Sequence, residues 1–144
     1  MRSEFALSPL SVLALAPLAG ALVTLSLSPF GFWPAGILSC ILYAHLLSTC
    51  STKQGLWRGW LYGFGLFGSG VSWVYVSIHV HGHASVPLAA GLTVLFCAAL
   101  ALFHTLFAWV YVQFVRPLPG GMLVGFPALW VLFEWLREWA FTGF

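Results

Sequence analysis

The stretch from Pro87 to Val115 contains no charged residue and is apolar on every face. A helix that crosses a hydrocarbon core of about 30 Å needs roughly twenty such residues, and this run exceeds that length. Four further apolar runs accompany it, at Pro9–Leu27, Trp33–Leu47, Trp57–Val80 and Met122–Phe141. Pro, Gly and polar residues separate them: the segment from Ser28 to Pro34, Ser48 to Gln54, His81 to Ser85, and Arg116 to Gly120. Lipid cannot satisfy backbone N–H and C=O groups, so only helices or closed barrels span it. A barrel needs alternating polar and apolar residues, which these runs lack.

Composition points the same way. Apolar residues make up 61% of the 144, and charged residues only 6%, against roughly a quarter in a soluble domain. The expectation is an all-α membrane protein, a bundle of about five transmembrane helices forming one domain over residues 1–144. The fourth span is the longest, which implies tilt. Pro17 and Pro127 each remove a helical hydrogen bond and are expected to kink the first and fifth spans. The run after Met1-Arg2-Ser3-Glu4 is too long for a signal peptide, and further spans follow it at once, so no cleavage is expected.

Four of the five basic residues, Arg2, Lys53, Arg58 and Arg116, fall on one side of such a bundle. The positive-inside rule makes that side cytoplasmic. The N-terminus is then cytoplasmic, while the loops at Pro29–Pro34 and His81–Ser85 and the C-terminus face outward. Phe30, Phe32 and Trp33 at one surface, and Trp57 and Trp60 at the other, suit interfacial belts. A formal charge of +2 excludes a nucleic-acid partner of the usual basic kind.

Two apparent motifs lie in the third run. Gly63-Phe64-Gly65-Leu66-Phe67-Gly68 spells G-x-G-x-x-G, but that fingerprint works only between a strand and a helix. Inside a span its glycines serve packing. Gly59 with Gly63, Gly65 with Ser69, and Gly68 with Ser72 repeat the small-xxx-small spacing that lets helices approach, so this helix is expected at the centre of the bundle. His79, His81 and His83 alternate where the span gives way to a loop, with no neighbouring carboxylate or thiol to complete a zinc site. No metal and no cofactor is expected. His45 and His104 read as hydrogen-bonded histidines inside the bundle. Cys40 and Cys50 are too far apart along a helix for a disulfide, and all three cysteines read as free thiols.

The end of the fifth run, from Trp130 to Phe144, gathers charge. Glu134 and Arg137 are three apart and can pair on a helix, and Glu138 adds a second carboxylate. Ionisable groups beside a span suggest function; the bland reading is an interfacial cluster that ends the helix in water.

At these residues a resemblance becomes specific. "SPFGFWP" at Ser28–Pro34, "GWLYGFGLFGSGVSWVYVSIH" at Gly59–His79, "FPALWVLFEWLRE" at Phe126–Glu138 and "FTGF" at Phe141–Phe144 resemble the membrane domain of bacterial apolipoprotein N-acyltransferase, in the same order along nearly the whole chain. Val80-His81-Gly82-His83 departs from the family's pattern after the third span. The resemblance implies an enzyme of the bacterial inner membrane. Such an enzyme moves an acyl chain from a membrane phospholipid to the α-amino group of the lipidated N-terminal cysteine of a diacylated lipoprotein, through a thioester. It also implies a nitrilase-like domain with a Glu-Lys-Cys set, which these 144 residues do not contain. The expectation is therefore a fragment or truncated product, inactive alone, with no catalytic residue of its own. It would anchor the catalytic domain and admit lipid substrates. Glu134, Trp135, Arg137 and Trp139 would face that domain or a lipid headgroup. Trp73, Tyr75 and His79 share their membrane level, and the two sets are expected to line one entrance. The alternatives are a small non-enzymatic membrane scaffold or assembly subunit, and half of a transporter, the latter disfavoured by the lack of a repeat.

Overall fold

The computed structural model describes residues 8–140. Arg2 and the Phe141–Phe144 motif, with the last residue of the expected fifth span, lie outside the described residues. Every regular element among the described residues is helical, so the all-helical expectation holds.

Local chemistry sets the helix boundaries. Helix α1 (Pro9–Ser26) begins where the Ser8 hydroxyl accepts the Ser11 amide at 3.1 Å, with proline in its first turn. It runs on through Pro17. Helix α2 (Trp33–Ser48) carries Pro34 at its start. Helix α3 (Thr52–Gly70) opens on a capping box: Ser51 Oγ accepts the Gln54 amide at 3.3 Å, and Gln54 Oε1 accepts the Ser51 amide at 3.0 Å. This cap starts the helix five residues before the expected Trp57.

The expected third span is not one straight helix. It breaks after Gly70 and resumes as α4 (Trp73–Val76) with a π-helical turn at Ser77–His81, bent by 54° from α3. Gly68 and Gly70 weaken the helix there. Ser69 Oγ donates back to the Gly65 carbonyl at 2.8 Å, a side-chain bond that competes with the backbone ladder. Helix α5 (Val86–Val110) continues through a π-helical turn at Tyr111–Val115. A third π-helical turn, Gly121–Gly125, leads into α6 (Phe126–Ala140), and Pro127 falls at that junction.

Val86–Val115 is by itself long and apolar enough to cross a membrane, and the bent pair Thr52–Gly70 with Trp73–His81 makes a second if it is one span. By length and composition alone, one or two of the five expected crossings are shown. With 18 and 16 residues, α1 and α2 extend only about 27 and 24 Å at 1.5 Å per residue. Only 22% of the most apolar part of Val86–Val115 is buried inside the protein, unlike the mostly buried core helix of a soluble fold. Leu10, Leu95, Leu123, Val124 and Val131 are likewise exposed.

Helix α3 sits between α1 and α5, and α2 packs on α1. Glycines make this approach possible. A Cβ on Gly59 would stand 2.6 Å from the His104 carbonyl oxygen, and one on Gly63 would stand 2.9 Å from Ala101 Cα, both on α5. Gly65 meets the backbone of Pro17 on α1. Gly68 differs: nothing lies within 4 Å of where its Cβ would be. Ser69 reaches α1 by a hydrogen bond, 2.7 Å to the Thr24 hydroxyl.

The core is aromatic. Tyr43 of α2 and Tyr62 of α3 stack with ring centroids 3.9 Å apart, and Phe107, Phe126 and Trp130 surround them. The buried Ser39 hydroxyl donates to the Ala19 carbonyl at 2.6 Å. Its one proton is thereby used, so Tyr62 donates to Ser39 at 2.7 Å. The Tyr43 hydroxyl donates to the His104 carbonyl at 3.0 Å. His104 itself departs from expectation: it is buried among these rings, and neither ring nitrogen has a hydrogen-bond partner. Trp60 departs too. It is stacked between Trp57 and Phe64, and its indole N–H donates to the Ala98 carbonyl at 3.2 Å, so it joins α3 to α5.

Two arginines converge on the carboxyl end of α2. Arg116 Nη1 lies 2.9 Å from the Leu47 carbonyl and 2.8 Å from that of Cys50, and Arg58 donates to the Leu46 carbonyl. Cations placed there answer the unpaired carbonyls and the negative end of the helix dipole.

Candidate functional site

The rotation of α6 is fixed by its apolar stripe. Phe126, Leu129 and Phe133 are buried, and Phe126 and Phe133 meet Phe107 of α5 edge-to-face at 5.3 and 5.2 Å. That orientation aims the neighbouring stripe, Trp130, Glu134 and Arg137, toward α1 and α2. These three residues follow the i, i+4, i+7 spacing of one helical face.

Glu134 and Arg137 form an ion pair, with Arg137 Nη2 donating to Glu134 Oε2. Their side chains are 36% and 25% exposed, respectively, so the pair is neither sealed in the core nor free in solvent. It stands at one end of a cavity of about 560 Å³ between α1, α2 and α6. Trp33, Ile37, Cys40, Leu66 and Trp130 supply apolar walls. A cavity with one charged end and an apolar body suits an amphiphile, and its size falls within the roughly 300–1,000 Å³ of small-molecule sites.

The expected site residues do not all gather there. Glu134 and Arg137 line this cavity. Trp135 and Trp139 follow on α6 and are strongly exposed, and Glu138 is exposed beside them. Tyr75 lines a different cavity, of about 520 Å³, between α1, α3 and α5, together with Gly65, Gly68 and Ser72. Trp73 is exposed on α4. His79 stacks on Tyr75 at 5.5 Å, with Nδ1 2.8 Å from the Ala84 carbonyl. Tyr75 and the Glu134–Arg137 pair thus belong to separate cavities rather than one entrance, because α3 and α1 meet between them. Gly59 and Gly63 face α5, Gly65 faces α1, and Gly68 faces open space.

Sequence reasoning missed Cys40, Trp33 and Trp130 as cavity walls. Trp130 carries a readable signal, standing one helical turn before Glu134. Cys40 and Trp33 carry none, since nothing local to α2 says which helix will lie opposite. Among the described residues no group of His, Cys, Asp and Glu is arranged to hold a metal.

Fold and site together define an all-helical, largely apolar domain with a cavity walled by apolar side chains and one ion pair. Residues 19–144 match the apolipoprotein N-acyltransferase N-terminal domain, and the chain belongs to that family. Similar relatives named apolipoprotein N-acyltransferase occur in Pseudomonas aeruginosa (49% identical over 138 residues), Azotobacter vinelandii (45% over 138 residues) and Coxiella burnetii (46% over 136 residues). Each alignment covers 93–94% of this chain and 26–28% of the relative, so the chain spans about a quarter of the length of these proteins.

Proposed function

We propose that this domain is the membrane part of an apolipoprotein N-acyltransferase of the bacterial inner membrane. It anchors the catalytic domain and admits the phospholipid acyl donor, while the acceptor is a diacylated lipoprotein. It crosses the bilayer five times, with the N-terminus and the Arg58 and Arg116 ends cytoplasmic and the end of α6 periplasmic. Alone it is inactive, because the chemistry belongs to the Glu-Lys-Cys domain that the resemblance implies. The exposed apolar faces of α5 and α6 support a lipid surrounding, and lysine and arginine placement supports the orientation.

The observation that carries the reading is the half-buried Glu134–Arg137 pair at the charged end of an apolar cavity. A zwitterionic headgroup meets opposite charges there while its chain follows the apolar wall. The test is acyl transfer by the full-length enzyme in membranes. Glu134→Gln is expected to lower the rate roughly two- to fivefold, the loss of about 0.5–1 kcal/mol from one partly exposed ion pair. Glu138→Gln, on the exposed side, is expected to change little. Near-normal activity of both variants removes the reading and leaves an interfacial cluster. Reporter fusions after Ala84, Arg116 and Ala140 test the topology, and a cytoplasmic reporter at Ala140 overturns it.

A further inference from the structure

The second cavity differs from the first in a way that suggests a different ligand. It lies between α1, α3 and α5, with a volume of about 520 Å³, and no charged side chain lines it. Its floor is Pro17, Phe64 and Cys97, while Ser72, Tyr75 and Thr93 lie nearer the other end. Gly59 against His104 and Gly63 against Ala101 set α3 and α5 antiparallel, so Ser72, just beyond α3, lies level with Thr93 and Phe64 with Cys97, and in the topology proposed above the hydroxyl-bearing end is the outer one. Gly68 stands in its wall with open space where a side chain would be.

We propose that this cavity holds one acyl chain of a lipid whose linkage is uncharged, the diacylglyceryl group of the acceptor. The inference rests on the lipid-admitting reading above and adds a division of labour to it. The phosphate-bearing donor takes the cavity that offers Glu134 and Arg137. The acceptor's glyceryl esters are neutral hydrogen-bond acceptors and match the Ser72 and Tyr75 hydroxyls, where a phosphate would find no cation. The chain then points inward to the apolar floor. At about 520 Å³, the space is of small-molecule size. The contact of Gly65 on Pro17 and the Thr24–Ser69 hydrogen bond join α1 to α3 and keep the two cavities apart.

Each cavity has its own free thiol, Cys97 here and Cys40 in the other, so occupancy can be read separately. The probes are a diacylglycerol and a phosphatidylethanolamine, each with a diazirine in one acyl chain, photolysed with the full-length protein in proteoliposomes and mapped by mass spectrometry. The diacylglycerol probe is expected to modify Cys97 or Phe64, and the phosphatidylethanolamine probe Cys40 or Trp130. Gly68→Leu fills the open space and is expected to abolish the Cys97 adduct while sparing the Cys40 adduct. In the transfer assay it should raise KM for the lipoprotein roughly tenfold, about 1.4 kcal/mol, and leave KM for the phospholipid unchanged. Val94→Trp, entering from α5, should do the same if Gly68→Leu does not fold. Equal labelling of both cavities by both probes, or a Cys97 adduct that survives both fillings, overturns the proposal. Loss of the phosphatidylethanolamine adduct at Cys40 with the Cys97 adduct intact instead counts against the donor site at Glu134 and Arg137.

Discussion

Arg116→Met in the full-length protein should release the carboxyl end of α2. In the native structure Arg116 Nη1 lies 2.8 Å from the Cys50 carbonyl, 2.9 Å from that of Leu47 and 3.4 Å from that of Ser48. One nitrogen carries two hydrogens, so only the two shorter contacts count as full bonds. A hydrogen bond from a charged donor contributes about 1.5–3 kcal/mol net. Because Arg116 is half-buried and the two bonds share one atom, about 2.8 kcal/mol is a fair total. Cys50 is the built-in reporter. It is buried, at 4% exposure, and follows the helix end that Arg116 holds. A thiol reachable only through local opening reacts in proportion to the open population. Loss of about 2.8 kcal/mol therefore predicts a ~100-fold faster maleimide reaction at Cys50, followed by mass spectrometry of its peptide.

Thiol acidity works against this outcome and so cannot imitate it. Burial raises the Cys50 thiol above its ordinary value of 9.0, and Arg58 and Arg116 pull it partly back. Removing Arg116 lifts it further, which makes the thiolate in the closed state rarer. A folded value above the unfolded one also means that this contribution to local stability is present below pH 9.0 and fades as pH rises through the raised value. Labelling at pH 7.5 stays clear of that window. Arg58→Met, which removes a single carbonyl contact, should accelerate labelling only ~10-fold. Arg116→Lys keeps the charge on a head of different reach and geometry and should fall between wild type and Arg116→Met. Labelling of Arg116→Met at the wild-type rate refutes the role of these carbonyl contacts.

Two further outcomes follow from packing. Gly63→Leu places a side chain where Ala101 Cα is 2.9 Å from the first added carbon; overpacking of about 1–3 kcal/mol should lower the melting temperature in detergent, whereas Gly68→Leu should leave it nearly unchanged. His104→Phe replaces two unpartnered nitrogens with carbon inside an aromatic cage. It should be neutral or stabilising by about 1 kcal/mol, and a clear loss of thermal stability would mean that the imidazole holds a partner of its own.

The sequence announces the helices because apolar runs without charge have few other folds available. It also announces the Glu134–Arg137 pair, since three residues on a helix is a fixed distance. The break after Gly70 is less legible. Its causes are small, two glycines and one serine bond, and they matter only because the flanking helices do not hold the segment straight. Tyr75 and Glu134 line different cavities, which the sequence does not show, because equal depth says nothing about which side of α3 a residue faces. The carbonyl contacts of Arg58 and Arg116 were hidden because the basic residues already had a reading as orientation signals. His104 was misjudged because a lone histidine in an apolar run suggests a partner, while its neighbours proved to be rings.

The π-helical turn at Gly121–Gly125, where the Gly125 amide reaches back five residues to Gly120, sets the phase of everything beyond it. Deleting one residue within that turn would advance α6 by about 100° around its axis, one residue's share of a 3.6-residue turn. The Phe126–Leu129–Phe133 stripe would then compete with the carboxylate face for the contact with Phe107. The site is thus indexed to one wide turn, some ten residues upstream of the charges it aims.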